Sequence, residues 1–254
     1  MPSLPRSHNI VGRWVPSAGA TGFRLVDRSG RSNHGTLTNM DPASDWVVSG
    51  GKGALDFDGT NDYVAVSDVV STIATGVTLS IWFLNRRSFS DASCLFDTAA
   101  LNAQTQRQLS VFFLSSNSVY VAIGRNGGGF VGSSMNMQLN VLYHLVITGN
   151  ILSPLATVYL NGISRGTSTS AGIISSTFSA VDTWIGGNVS GGGLAFDGLI
   201  DDVTVFNTAL TANEVSEIYR LGRGYGVFPE PDFDEGFAAA GFNRRRRLIC
   251  GSNC

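Results

Sequence analysis

The chain has 254 residues, a formal net charge of −2, 43% hydrophobic and 14% charged residues. This balance supplies a large core, gives no general attraction to nucleic acid or membrane surfaces, and contains no apolar run of the ~20 residues a membrane-spanning helix needs. Three cysteines (Cys94, Cys250 and Cys254) are too few for a disulfide scaffold, and the last two can close a small loop, cross-link chains or stay reduced.

In chain order, residues 1–9 read as an irregular N-terminal arm. They carry two prolines and no apolar run of the kind that forms a secretion signal. Val11 to Val15 and Phe23 to Val26 are short apolar pieces suited to a sheet edge, and 39–53 is loop-rich, with Asp41-Pro42 as a turn initiator. From Ala54 onward strands recur: Ala54 to Phe57, Tyr63 to Val66, Val77 to Leu84, Cys94 to Phe96, Leu109 to Leu114, Val119 to Ile123, Leu142 to Thr148, Ala156 to Leu160 and Val181 to Ile185. Leu55 and Phe57 point to one face of their strand, Asp56 and Asp58 to the other. Asn161-Gly162 is the strongest hairpin signal, because a type I′ turn needs positive φ at both positions. Ten or more short strands without intervening helices predict an all-β, two-sheet antiparallel sandwich, a jelly roll.

The last regular stretch runs from Phe196 to Leu221. A turn at Asp197-Gly198 precedes a strand, Leu199 to Phe206, and then a helix start. Thr211 and Glu214 are spaced as a capping box, Leu210 and Val215 as a hydrophobic staple, and Gly222 is the stop of a short helix. This segment resembles the closing strand and helix of laminin G-like domains, within the concanavalin A-like lectin and glucanase group. Their final strand often reads G-x-I-D-[DE]-V-x-[IV]-[YF]-N-x-A-L-[ST], which Gly198 to Thr211 follow closely. Asp27 to Leu37 (DRSGRSNHGTL), Ala54 to Val66 (ALDFDGTNDYVAV), Tyr143 to Asn150 and Ala156 to Gly162 are similar to further parts of the family, in the same order. The resemblance implies one laminin G-like domain over 10–222, followed by a C-terminal arm over 223–254.

It also implies a site. In that family a structural Ca²⁺ is often held by an Asp of the final strand and by carbonyls of the early loops. This would make Asp201 a ligand, with Gly59 and the Asp27 loop as carbonyl sources. The metal-free alternative is that Asp201 or Asp202 hydrogen-bonds the 27–34 loop. The related family 16 glycosidases require two close glutamates on the concave sheet. Here Glu214 and Glu217 fall in the helix and Glu230 and Glu235 in the arm, so catalysis is not expected. His144 reads as a strand residue, His34 as a turn-shaping one, and Cys94 as a buried thiol. Tyr120, Asn126 and Asn188, beside Gly-rich loops, are the candidate glycan contacts, while Trp82 and Trp184 read as core.

The arm carries Phe228, Phe233, Phe237 and Phe242, an acidic cluster, and then Arg244, Arg245, Arg246 and Arg247. It reads either as an assembly arm that docks between subunits or as a disordered tail. The expected function is a non-catalytic structural or binding protein, a virion surface decoration or fibre component whose lectin-like sandwich binds glycans. Its expected partners are other virion or surface-assembly proteins and further copies of itself. The alternative is a carbohydrate-binding or adhesion module of a cellular extracellular protein, exported by another route.

Overall fold

The structure, a computed structural model, describes residues 4–49, 52–88, 91–99, 107–115, 118–123, 131–150, 155–168, 181–188 and 194–223. Sixteen strands and one α-helix occur among them. The strands are β1 (Ile10–Trp14), β2 (Arg24–Leu25), β3 (Gly35–Thr38), β4 (Trp46–Ser49), β5 (Lys52–Asp58), β6 (Tyr63–Val66), β7 (Gly76–Asn85) and β8 (Ser93–Ala99). Then come β9 (Arg107–Ser115), β10 (Ser118–Ile123), β11 (Val131–Ser134), β12 (Leu142–Asn150), β13 (Leu155–Leu160), β14 (Ile163–Ser168), β15 (Thr183–Ile185) and β16 (Asp197–Phe206), and finally α1 (Ala212–Arg223).

They build two eight-stranded sheets. Sheet A has the order β14-β13-β12-β7-β16-β5-β4, with β1 also paired to β16, and sheet B has the order β11-β10-β9-β8-β15-β6-β3-β2. Alternation along each strand sends one row of side chains between the sheets. Phe57, Val77, Leu79, Ile81, Phe83, Leu145, Ile147 and Val205 come from sheet A. They meet Val64, Phe96, Leu109, Val111, Phe113, Val121 and Ile185 from sheet B in one continuous core. The expected hairpin is present: Asn161 and Gly162 have φ of 53° and 77°, and Leu160 pairs with Ile163.

Two features set the edges of the functional surfaces. The first is a bulge in β16. Its early residues Asp197 to Ile200 pair with β5, while Val203 to Phe206 pair with β1. Asp202, with φ of 38°, is the extra residue at the change of partner. Both carboxylates of this Asp-Asp pair hold the N-terminal segment. Asp202 accepts two hydrogen bonds from the Arg13 guanidinium, at 3.0 and 2.9 Å, and Asp201 accepts from the Ser17 amide at 3.1 Å.

The second feature is α1, which lies on the outer face of sheet A. Its capping box is formed as expected: the Glu214 carboxylate accepts from the Thr211 amide at 2.8 Å, and the Glu214 amide donates to Thr211 Oγ1 at 3.3 Å. Leu210, Val215 and Ile218 bury against Val146, Tyr159 and Phe206 on that face. Leu4 joins the same cluster and Arg6 pairs with Glu214. Part of the segment expected as an irregular N-terminal arm is therefore packed on the helix.

Candidate functional site

Each sheet has an outward face, and the two carry the residues of functional interest. On sheet A the indole of Trp82 stacks on His144, with centroids 4.6 Å apart, and on Tyr219 of α1 at 5.7 Å. Trp82 thus lies outside the core between the sheets, where the sequence had placed it. A Cβ built on Gly222 would sit 2.4 Å from the indole, so only glycine lets the helix end so close to it. His144 is fully buried and shares a 2.8 Å hydrogen bond with Ser80 Oγ through Nε2, while Nδ1 has no partner. Burial pushes its pKa down to about 3. This is a structural histidine, neutral at physiological pH.

On sheet B, Trp184 of β15 also turns outward and packs with Tyr63 of β6 in a small cluster separate from the main core. Opposite Trp184 on β8 is Asp97, whose carboxylate accepts a 2.5 Å hydrogen bond from Ser110 Oγ of β9. Tyr120 of β10 lies on the same face, half-buried, because its neighbours Val119 and Val121 point into the core. Beyond β15 the backbone turns through Gly186 (φ 76°). A Cβ there would meet the Phe57 ring at 2.2 Å, and one on Gly187 would lie 3.0 Å from Tyr63. Asn188 follows. It is 2% exposed, and its Oδ1 accepts no hydrogen bond. A buried carbonyl oxygen left unpaired costs about 1–3 kcal/mol, so it marks a place where a hydroxyl donor is favoured.

Next to it is the turn between β5 and β6. Asp62 accepts from the Asp58 amide at 3.0 Å, and burial, countered in part by that hydrogen bond, raises its pKa to about 6. The same end carries an ion cluster that the sequence did not reveal. Arg86 clamps Asp56 with both terminal nitrogens and Asp197 with Nε at 2.9 Å. Its pKa is held far above the usual guanidinium range, first by the Asp56 hydrogen bonds and, against the cost of burial, by Asp197. The partners come from three strand ends remote in sequence, so no local pattern announced them.

Of the residues expected to hold Ca²⁺, Gly59 and Asp201 are not brought together. Gly59, with φ of 75°, is beside Asp197, and its carbonyl accepts from Arg87 Nη2 at 3.0 Å. Asp201 is four residues further along β16, roughly 13 Å at the usual strand rise. The Asp27 carboxylate accepts from the amides of Arg13, Ser29 and Asn33 and from Ser29 Oγ, which shapes the 27–34 loop. A calcium ion needs six to eight oxygens around one point. Gly59 and Asp201 lie apart, and each of Asp27, Gly59 and Asp201 gives at least one oxygen to a protein donor. Among the described residues no group of three or more His, Cys, Asp or Glu is placed to hold a metal. His34 shapes the turn as expected, accepting from the Asp27 amide through Nδ1 at 3.1 Å.

Of the expected glycan contacts, Tyr120 on β10 and Asn188, just beyond β15, are separated by β8 and β9, about 14 Å across. Asn126 lies outside the described residues, as do Phe228, Phe233, Phe237, Phe242 and Arg244 to Arg247.

The profile of Laminin_G_3, described as the concanavalin A-like lectin/glucanases superfamily, matches residues 58–216, more than half of the chain. The chain belongs to that family. No curated protein sequence matches this laminin G-like chain. Among solved structures it is similar to the receptor-binding domain of botulinum neurotoxin C/D mosaic serotype, at 13% identity and TM-score 0.64, covering 84% of this chain and 51% of that one. It is similar also to Trypanosoma rangeli sialidase in complex with a difluorinated nononic acid, at 16% and 0.67, covering 89% and 34%. A third is the binding domain of Paraclostridial Mosquitocidal Protein 1, at 13% and 0.60, covering 85% and 53%. These likenesses show the two-sheet fold, and the chain spans between a third and about half of the length of those structures. No helix among the described residues is long and apolar enough to cross a membrane.

Proposed function

We propose that this laminin G-like domain is a non-catalytic glycan-binding module of a surface assembly, a decoration or fibre component of a virion. Its ligand site is the Asn188 end of the outer face of sheet B. The observation that carries the reading is the buried, unpaired Oδ1 of Asn188 next to the Tyr63–Trp184 aromatic cluster. A sugar offers an apolar ring face to an aromatic and hydroxyl donors to a carbonyl, and these are the two chemistries brought together here. The positions of the glutamates support the absence of hydrolysis. Glu214 is committed to the helix cap and to Arg6, on the opposite side of the molecule, and Glu217 lies on the same helix.

The particle setting rests on the arm over 224–254, with its four phenylalanines and arginine run, which suits exchange between subunits. The similarity to two toxin binding domains favours a second reading, an adhesion module of a cellular extracellular protein. A glycan array probed with the full chain tests the binding half, and removal of residues 224–254 tests the assembly half. Binding that survives the deletion together with loss of oligomers supports both. A chain that binds no glycan on the array overturns the first, and unchanged oligomers overturn the second.

A further inference from the structure

On one long side of the sandwich the two sheets end in β4 and β2. Trp46 of β4 joins these edges, donating from Nε1 to the Gly22 carbonyl at 2.9 Å. Trp46 pairs with Leu55, a core residue, so Val48, two positions on, also lies on the strand face that looks toward sheet B. Phe23 follows Gly22 on the other edge. At 77% and 64%, Val48 and Phe23 are the two most exposed large hydrophobics among the described residues.

The backbone of β4 is open on the same side. The Asp56 amide donates to the Asp45 carbonyl at 2.8 Å. In an antiparallel pair such bonds fall on alternate residues, so Asp45, Val47 and Ser49 turn their backbone groups to β5, while Trp46 and Val48 turn theirs outward. No strand lies beyond β4 among the described residues, and its sequence, WVVS, carries no charge or proline to guard an edge. The edge of sheet B is closed differently. There Thr21 Oγ1 donates to the Arg24 carbonyl, which the alternation turns away from β3.

We propose that β4 pairs antiparallel with β4 of a second copy across a two-fold axis at Val47, joining the two A sheets into one. In that register Trp46 lies opposite Val48 of the second copy, and Val48 opposite its Trp46. Every outward amide then meets a carbonyl, and each exposed valine packs on an indole. The charges agree with this register. Asp45 precedes β4, and Lys52, the chain's single lysine, is the β5 partner of Ser49. The two-fold sets Asp45 opposite Ser49 of the second copy, so the acidic row Asp56–Asp45 of one chain continues into the Ser49–Lys52 row of the other. The contact uses neither the arm nor the Asn188 end. Removal of residues 224–254 therefore leaves pairs of chains, and the arm is read in assemblies larger than two.

The test is disulfide trapping in the full chain with Cys250→Ser and Cys254→Ser, which leaves only the buried Cys94. The register puts the two Val47 Cα atoms about 4.5 Å apart and the two Val48 Cα atoms about 9 Å apart, past the ~7 Å a disulfide can span. Val47→Cys is therefore expected to form an interchain bond under mild oxidation at least ten times faster than Val48→Cys. This order runs against exposure, which favours Val48 in random collisions. Equal rates, a faster bond in Val48→Cys, or no bond while the Val47→Cys thiol reacts with a small reagent overturn the proposal. A second variant adds no thiol. Val48→Lys places a charge on the open edge without touching the core, and is expected to at least halve the number of chains per sedimenting particle with an unchanged far-UV spectrum. An unchanged particle mass, or a parent chain that is already single, leaves the edge to a strand of another protein and contradicts the pairing.

Discussion

The two outward faces of this sandwich are built from the same kind of strand but are completed differently. Sheet A is closed by sequence-local means: β16 leads through Leu210 directly into α1, which returns over Val146, Tyr159 and Phe206 and ends on Trp82. Sheet B ends in a cluster of Trp184 and Tyr63 beside an asparagine with an unpaired oxygen. Trp82 and Trp184 are equally buried, but the first is covered by a helix that the final strand leads into, and the second lies at the end where we place the proposed ligand site. An outward tryptophan in a strand can serve either a closed face or a ligand site, and what packs on it decides which.

The largest effect should come from breaking the closed face. Trp82→Ala removes the partner of His144, Tyr219 and Gly222 at once, and loss of a buried tryptophan costs about 3–5 kcal/mol. Denaturant unfolding should show that loss while glycan binding by the folded fraction stays the same. If binding fell in proportion to stability, the two faces would not be independent.

Acid should separate them next. His144 is neutral in the folded protein, with a pKa of about 3, whereas in the unfolded chain it takes up a proton near 6.5. Stability from this group is full above pH 6.5 and is lost as pH falls toward 3, by about 2 kcal/mol at pH 5. His144→Gln should flatten that part of the pH profile. An equally steep profile in the variant would assign the acid response elsewhere.

Asp62, at the sheet B end, has the opposite sign. Its folded pKa of about 6 lies above the ordinary 3.8, so the folded state holds the proton more tightly. That contribution is present below pH 3.8 and is lost as pH rises through 6. Asp62→Asn, which keeps an acceptor for the Asp58 amide, should raise the melting temperature at pH 7.5 by a few degrees and leave it unchanged at pH 4. A lower melting temperature at pH 7.5 would show that the carboxylate charge is needed there.

Much of this was legible in the sequence, for physical reasons that also explain the gaps. The hairpin at Asn161-Gly162, the Thr211–Glu214 box and the final strand are short-range patterns, and each was found where expected. Strands β3 (GTLT) and β11 (VGSS) were missed because they are short, polar or glycine-containing and lie toward sheet edges, where apolar alternation is weak, and β4 (WVVS), an edge strand, falls within the stretch 39–53 that was expected to be loop-rich. In β7 nearly every position is buried, so periodicity could not tell that Trp82 faces outward while Phe83 faces the core. The resemblance marked Asp201 as a calcium ligand, with a hydrogen bond from Asp201 or Asp202 to the 27–34 loop as the alternative. Their observed partners are Ser17 and Arg13, contacts nearly two hundred residues apart that no local reading supplies. Asn188 was legible only as an asparagine near glycines, and its unpaired oxygen appears once Gly186 and Gly187 have folded against Phe57 and Tyr63.

The smallest expected change in stability belongs to Asn188, the residue on which the proposed ligand site rests. Asn188→Ala removes an unsatisfied buried group, so its unfolding free energy should stay within about 1 kcal/mol of the parent chain. Titration of this variant and the parent with the strongest glycan from an array measures the central claim directly. The account predicts at least tenfold weaker binding at unchanged stability. Equal affinity in the two proteins would contradict it and remove the Asn188 end of sheet B from the ligand site.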